Sequence, residues 1–177
     1  MKTLNDSRSV VEQWYTALAA GDFDGVIGAF HPDVVASVIG STPVSGRFTG
    51  RDQFITGTLG VLFDALDPQQ TRFATNWSIF SVDGQRVVGM MTADAVGKNG
   101  QPYNGAYCQL FTISGDQIIE YLEFTDTVVI ENAIFGNPLT RPSTLQREPL
   151  TVAQSVDRTR ATPAASAPEA SIPLEKR

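Results

Sequence analysis

Cysteine and histidine are almost missing from this chain of 177 residues: Cys108 and His31 are the only ones. A lone cysteine excludes an intramolecular disulfide framework and a cysteine-rich zinc site. A lone histidine excludes any site that needs two imidazoles from one chain. Basic residues are few as well, 13 against 19 acidic. The resulting net charge of −6 argues against nucleic acid or an anionic membrane as the main partner. No window approaches the ~20 consecutive apolar residues of a membrane span. The opening Met1-Lys2-Thr3-Leu4-Asn5-Asp6 lacks the apolar stretch of a secretory signal, so the protein reads as cytoplasmic. What the chain does have is 42% hydrophobic and 9% aromatic residues, enough to build a core.

The charge is unevenly spread. Arg141 to Arg177 holds six basic and four acidic residues, whereas Met1 to Thr140 holds 7 and 15, a net of −8. A body this acidic suits a neutral substrate better than an anionic one. The run from Ala161 to Ser171 is Pro/Ala/Ser-rich without an aromatic residue, and it cannot bury enough area to offset its ordering entropy. The expected organisation is one domain over 1–137 and a low-complexity, disordered tail over 138–177.

Periodicity sketches the body. Val10, Val11, Trp14, Ala17 and Leu18 recur at helical spacing, and Ser9-x-x-Glu12 reads as a capping box that starts this first helix between Asp6 and Ser9. Gly21 stops it. Asp22 caps a second, short helix with Phe23, Val26, Ile27 and Phe30 on one face, and His31-Pro32-Asp33 ends that helix. Val34 to Ile39 is β-branched and reads as a strand, and Gly40 to Gly46 as a loop. A third helix runs from about Gly50 to Leu66, capped by Thr49, with Gly57 and Gly60 marking close packing or a break. After Pro68 the period becomes two. Thr71–Val82, Gln85–Val96, Tyr103–Ser114 and Gln117–Ile130 are strands, with hairpin signals at Asp83-Gly84 and Asn99-Gly100. Helices first and strands after indicate an α+β architecture with an antiparallel sheet.

Four segments carry a resemblance. They are Ala19-Ala20-Gly21-Asp22-Phe23-Asp24, Phe30-His31-Pro32-Asp33-Val34-Val35, Gly50-Arg51-Asp52, and Pro102-Tyr103-Asn104 continued through Ile118 to Asp126. In this order and spacing the chain, over roughly residues 8–136, resembles the nuclear-transport-factor-2-like superfamily. Within it the chain is similar to the SnoaL-like, ketosteroid-isomerase and limonene-epoxide-hydrolase groups. The resemblance implies a cone-shaped curved antiparallel sheet packed against three N-terminal helices, an α+β barrel, around a deep apolar pocket. It also implies a homodimer through the outer sheet face. The superfold hosts enzymes and non-enzymes alike.

Alternation places Met90, Thr92 and Asp94 on one face of their strand, and Gly105, Tyr107 and Gln109 on one face of the next. A two-residue turn at Asn99-Gly100 pairs Met90 with Gln109, Thr92 with Tyr107 and Asp94 with Gly105. On the last strand Tyr121, Glu123 and Thr125 share one parity, and Leu122, Phe124 and Asp126 the other. Glu123 and Asp126 have opposite parity on this strand, so one step of register decides which of them shares a face with Tyr107. Similarity to the epoxide hydrolases favours Glu123, with Asp126 second. The water-activating set of those hydrolases falls on Met90, Thr92, Glu123, Ala36 and Val38, where a single carboxylate survives. The isomerase set falls on Val38, Trp14 and Gln109, without its base.

The expected chemistry is acid/base catalysis without metal or organic cofactor. It would cyclise, isomerise, hydrate or dehydrate a hydrophobic polyketide- or terpenoid-like molecule. Glu123 is the general base, its pKa raised by burial. Tyr107 and Gln109 stabilise a developing enolate oxygen, and Asp94 is a second acid/base near the mouth. Trp14, Tyr15, Met90, Thr92, Tyr121 and Thr125 line the pocket. His31 reads as a helix-end residue and Cys108 as a small hydrophobe pointing away from Tyr107 and Gln109. The alternative is a non-catalytic module of the same fold that binds a hydrophobic ligand or dimerises.

Overall fold

The computed structural model describes residues 4–139. The expected tail, apart from Pro138 and Leu139, lies outside the described residues. Helix α1 spans Leu4–Ala20 and buries Val11, Trp14, Tyr15 and Leu18. It begins earlier than the sequence suggests, and the capping box does not form. Ser9 and Glu12 lie inside the helix, where Gln13 Nε2 donates to Ser9 Oγ at 3.2 Å and Arg8 Nε to Glu12 at 2.8 Å. Gly21, at φ 72°, ends α1 in the left-handed conformation. Asp22 then caps α2 (Phe23–Gly28), its Oδ1 accepting the Gly25 N–H at 2.9 Å.

Strand β1 (Phe30–Val38) starts before Pro32, so His31 sits on an irregular strand start and not at a helix end. A short edge strand, β2 (Gly46–Thr49), replaces the end of the expected loop. The third helical run is not uniform: α3 (Arg51–Phe54) passes into a π turn (Ile55–Leu59) and then α4 (Gly60–Ala65). Its N-cap is Gly50 at φ 92°, with no side-chain cap, so Thr49 does not serve. Gly57 marks close packing, since a Cβ there would overlap the Phe48 ring.

Strands β3 (Arg72–Asp83), β4 (Arg86–Asp94), β5 (Gly105–Ser114) and β6 (Gln117–Phe124) form the antiparallel meander. The six strands run in the order β2-β1-β6-β5-β4-β3. β1 lies parallel to β6, so the sheet is mixed and open, where an antiparallel barrel was expected. Register shifts in β1, β3 and the β5–β6 pair bend it. α1 packs across β3, β4 and β5, and α3 against β1 and β2, which closes a cone around the core. The last expected strand is cut at Phe124: Asp126 caps a further helix, α5 (Thr127–Ala133).

The hairpin between β4 and β5 decides which residues face inward. Gly97 N–H bonds to Gln101 O at 2.8 Å, so the loop is Lys98-Asn99-Gly100, with Gly100 at φ 80°. Three-residue loops commonly end in a left-handed residue of this kind. One residue more than expected moves the register by one: Met91 faces Tyr107, Gly89 faces Gln109 and Ala93 faces Gly105. Met90, Thr92 and Asp94 are therefore turned to the outer face. Among the described residues no helix is long and apolar enough to cross a membrane.

Candidate active site

A cavity lies between α1, the α3–α4 wall and the concave side of the sheet. Its free volume is small, about 50 Å³. Among the described residues, eight of the fourteen that line it are aromatic and Glu123 is the one carboxylate. It is therefore a mostly apolar pocket with a few polar groups converging on it.

Glu123 reaches the cavity because β6 is bulged. The turn Gly115-Asp116 has two residues and pairs Ser114 with Gln117, but a shift beyond Ile113 brings Tyr121 opposite Phe111 and Glu123 opposite Gln109. The preferred carboxylate therefore faces inward. Asp126 lies past the strand end, exposed, with its Oδ1 held by the Val128 N–H at 3.0 Å. Its role is a helix cap. Asp126→Ala is expected to cost about 0.5–2 kcal/mol in chemical denaturation and to leave turnover unchanged. Loss of turnover in a folded variant would return Asp126 to the site.

The surroundings of Glu123 are specific. Its Oε2 accepts from the Tyr121 hydroxyl and, at 3.2 Å, from Gln109 Nε2. Tyr15 donates to Gln109 Oε1 at 2.7 Å. Burial pushes the Glu123 carboxyl above the ordinary carboxylate range, and the bonds from Tyr121 and Gln109 pull it part of the way back. Burial also pushes the Tyr121, Tyr107 and Tyr103 phenols up, so they stay protonated donors. Tyr103, Tyr107 and Thr125 interact in a second chain of hydroxyls.

The structure thus brings together Glu123, Tyr107, Tyr121 and Trp14 around the cavity, with Thr125 beside Tyr107. Tyr15 and Gln109 are fully buried behind it and do not line it. Gln109 Nε2 is engaged by Glu123, and the side chain does not line the cavity. Met90, Thr92 and Asp94 are absent from the cavity because of the hairpin register, and Asp94 is exposed. Met91 takes the place expected of Met90. Tyr103 was missed, as were Phe30 and Phe54 of the walls. Counting Gly100 as the left-handed end of a three-residue loop would have found Met91. Cys108 lies half-buried on the outer face, as alternation implied, and burial raises its thiol pKa. Among the described residues no three of His, Cys, Asp or Glu converge as metal ligands would.

Comparison with known proteins accords with this geometry. A family model described as a SnoaL-like domain matches residues 11–121. No curated protein matches the chain. Among solved structures, an NTF2-like protein of unknown function from Burkholderia pseudomallei superposes with a TM-score of 0.61 at 19% identity, covering 73% of this chain and 97% of its own. TerC, co-crystallised with polyporic acid, gives 0.60 at 20% identity, covering 73% and 98%. A Xanthomonas campestris protein provisionally named a polyketide cyclase gives 0.59 at 18% identity, covering 73% and 97%. At these identities the likeness establishes the fold.

Proposed function

The chain belongs to the SnoaL-like domain family of the NTF2-like superfamily, and from that premise we propose that it is a cofactor-independent acid/base enzyme acting on a hydrophobic, polyketide- or terpenoid-like carbonyl compound. The observation that carries the reading is a single inward carboxyl, Glu123, raised in pKa by burial and set in an otherwise apolar, aromatic slot. The name of the Xanthomonas relative and the polyporic acid bound to TerC, an organic small molecule in a similar fold, support the same class of ligand.

In this reading Glu123 takes a proton from carbon next to a substrate carbonyl. The electrons left behind move onto the carbonyl oxygen, which the Tyr103–Tyr107 hydroxyl pair stabilises in place of Gln109. Return of the proton to another carbon gives isomerisation. Attack of the enolate carbon on a second carbonyl gives ring closure, and loss of a hydroxide equivalent as water gives dehydration. The aromatic walls hold the substrate flat and exclude water from the carboxyl.

The test is to identify compounds that co-purify with the full chain by mass spectrometry. Turnover of those compounds and related polyketides is then measured in the wild type, Glu123→Gln and Asp126→Asn. Conversion that depends on Glu123 supports the reading. Binding without conversion would favour the ligand-binding alternative.

We also propose that the outer sheet face joins two copies. Leu110 and Phe124 are 37% and 43% exposed there, beside half-buried Val88 and Leu122. Arg47, Arg86 and Glu120 edge the same groove and can pair across a two-fold axis. Leu110→Lys is expected to halve the mass measured by sedimentation equilibrium. A wild type that sediments as a monomer refutes the dimer.

A further inference from the structure

Tyr15 lies outside the cavity, yet it holds the far end of a chain that reaches Glu123. Both donors to Glu123, the Tyr121 hydroxyl and Gln109 Nε2, fall on Oε2. Among the described residues nothing donates to Oε1. The carboxyl is therefore gripped on one oxygen and open on the other. The grip depends on which end of the Gln109 amide faces it. An amide has one accepting and one donating end, and its last torsion is broad and roughly two-fold, so the side chain alone does not choose. The Tyr15 hydroxyl occupies the accepting end at 2.7 Å and leaves the N–H end to Glu123.

We propose that Tyr15 is a positioning residue: it fixes the Gln109 amide so that Glu123 is held at Oε2 and presents Oε1 to the substrate. The inference rests on the acid/base reading of Glu123 and adds how that carboxyl is aimed.

Two further features seat Tyr15. Its ring stacks on Trp77 of β3, centroids 5.2 Å apart and planes 13° from parallel. Beneath its hydroxyl lies Gly89 of β4, where a Cβ would overlap the phenol oxygen and ring edge. Gly89 stands opposite Gln109 across the ladder. The missing side chain at 89 is the space that lets the phenol reach the amide. Among the described residues, the titratable groups that interact with Glu123 are phenols: Tyr15 from α1, Tyr103 and Tyr107 from the neighbouring segment, and Tyr121 from its own strand. After burial and the Tyr121 bond, the amide bond is the remaining hydrogen bond that favours the ionised Glu123.

The experiment uses the full chain labelled with 13C-glutamate and 15N-glutamine, with Glu123→Gln and Gln109→Leu to assign the two signals. Tyr15→Phe removes the hydroxyl and keeps the ring. The Glu123 titration midpoint is expected to rise by about one pH unit, a tenfold change in its ionisation constant. The Gln109 side-chain amide should lose its protection from solvent exchange. The acid limb of the turnover profile should move with the midpoint, kcat falling while KM holds. Gly89→Ala, which displaces the hydroxyl and keeps the phenol, should reproduce the shift. Should Tyr15→Phe not fold, Gly89→Ala and Trp77→Leu carry the same test. An unchanged Glu123 midpoint in the folded variants overturns the proposal. A shifted midpoint alongside undiminished turnover in Glu123→Gln overturns only the acid/base reading on which it rests.

Discussion

Glu123→Gln is expected to reduce turnover by about 10²- to 10⁴-fold, the usual contribution of a positioned acid/base group. At the same time it should make the folded protein more stable at neutral pH. Gln is close to Glu in shape and keeps an acceptor for the Tyr121 and Gln109 donors, so the hydrogen bonds survive the change. What disappears is a charge that burial disfavours. In the folded state the carboxyl pKa lies above the ordinary value of 4.5. A raised pKa contributes stability that is present below the unfolded value and is lost as pH rises through the folded one. The wild type should therefore fall behind the variant as pH climbs from about 4.5. The gap grows by about 1.4 kcal/mol for every pH unit that separates the folded and unfolded midpoints. Thermal melts of both proteins from pH 4 to pH 8 follow the gap. A gap that stays constant across that range would mean the carboxyl is not perturbed, and an active, equally stable variant would sink the assignment.

The second large effect belongs to the core behind the site. Phe111→Ala is expected to cost about 3–5 kcal/mol, as for other buried aromatic truncations. Phe111 is 1% exposed, and Trp14, Tyr15 and Tyr121 all pack edge to face against it, at 5.4, 6.0 and 5.4 Å between centroids. Since whole domains are stable by only about 5–15 kcal/mol, this one truncation removes a large share. It also withdraws the common support of Tyr121 and Tyr15, which hold the two sides of the Glu123 arrangement. Urea denaturation gives the loss. Phe111→Leu, which refills much of the space, should recover most of it. A cost below about 1 kcal/mol for the alanine variant would mean the ring is not a keystone.

How much of this was legible in the sequence depends on how local the cause was. Gly21 acts through its own backbone and Asp22 through its carboxylate on the adjacent turn, and both do in the structure what their residue types require. The buried faces of the helices follow from periodicity, as at Val11, Trp14 and Leu18. The inward face of β4 was misassigned because the loop has three residues and a two-residue Asn-Gly turn was the stronger local signal. That single residue turned Met90, Thr92 and Asp94 outward together. The parallel pairing of β1 with β6 joins residues about 85 positions apart, and no local pattern encodes it. β2 was overlooked because Gly46-Arg47-Phe48-Thr49 is a short edge strand without apolar alternation. Glu123 was chosen for its place in a family pattern, and a bulge that periodicity does not reveal turned it inward. Gln109 was seen as a polar residue of the site, but its role depends on Tyr15, 94 positions away.

The π turn at Ile55–Leu59 has a further meaning for the cavity wall. In helical terms it is one surplus residue, a phase slip in a run that is otherwise α-helical. Each helical residue turns the chain by about 100°, so everything after the slip is rotated by that step relative to an uninterrupted helix. Leu62 and Phe63 point into the cavity, and Leu59 sits at the slip itself. Excising Gly57 would remove the surplus residue and its widened turn together, so the run is expected to return to α-helical phase with Leu62 and Phe63 still facing the cavity. The widened turn lets this helix carry one more residue, with Gly57 against the Phe48 ring, without turning Leu62 and Phe63 away from the cavity.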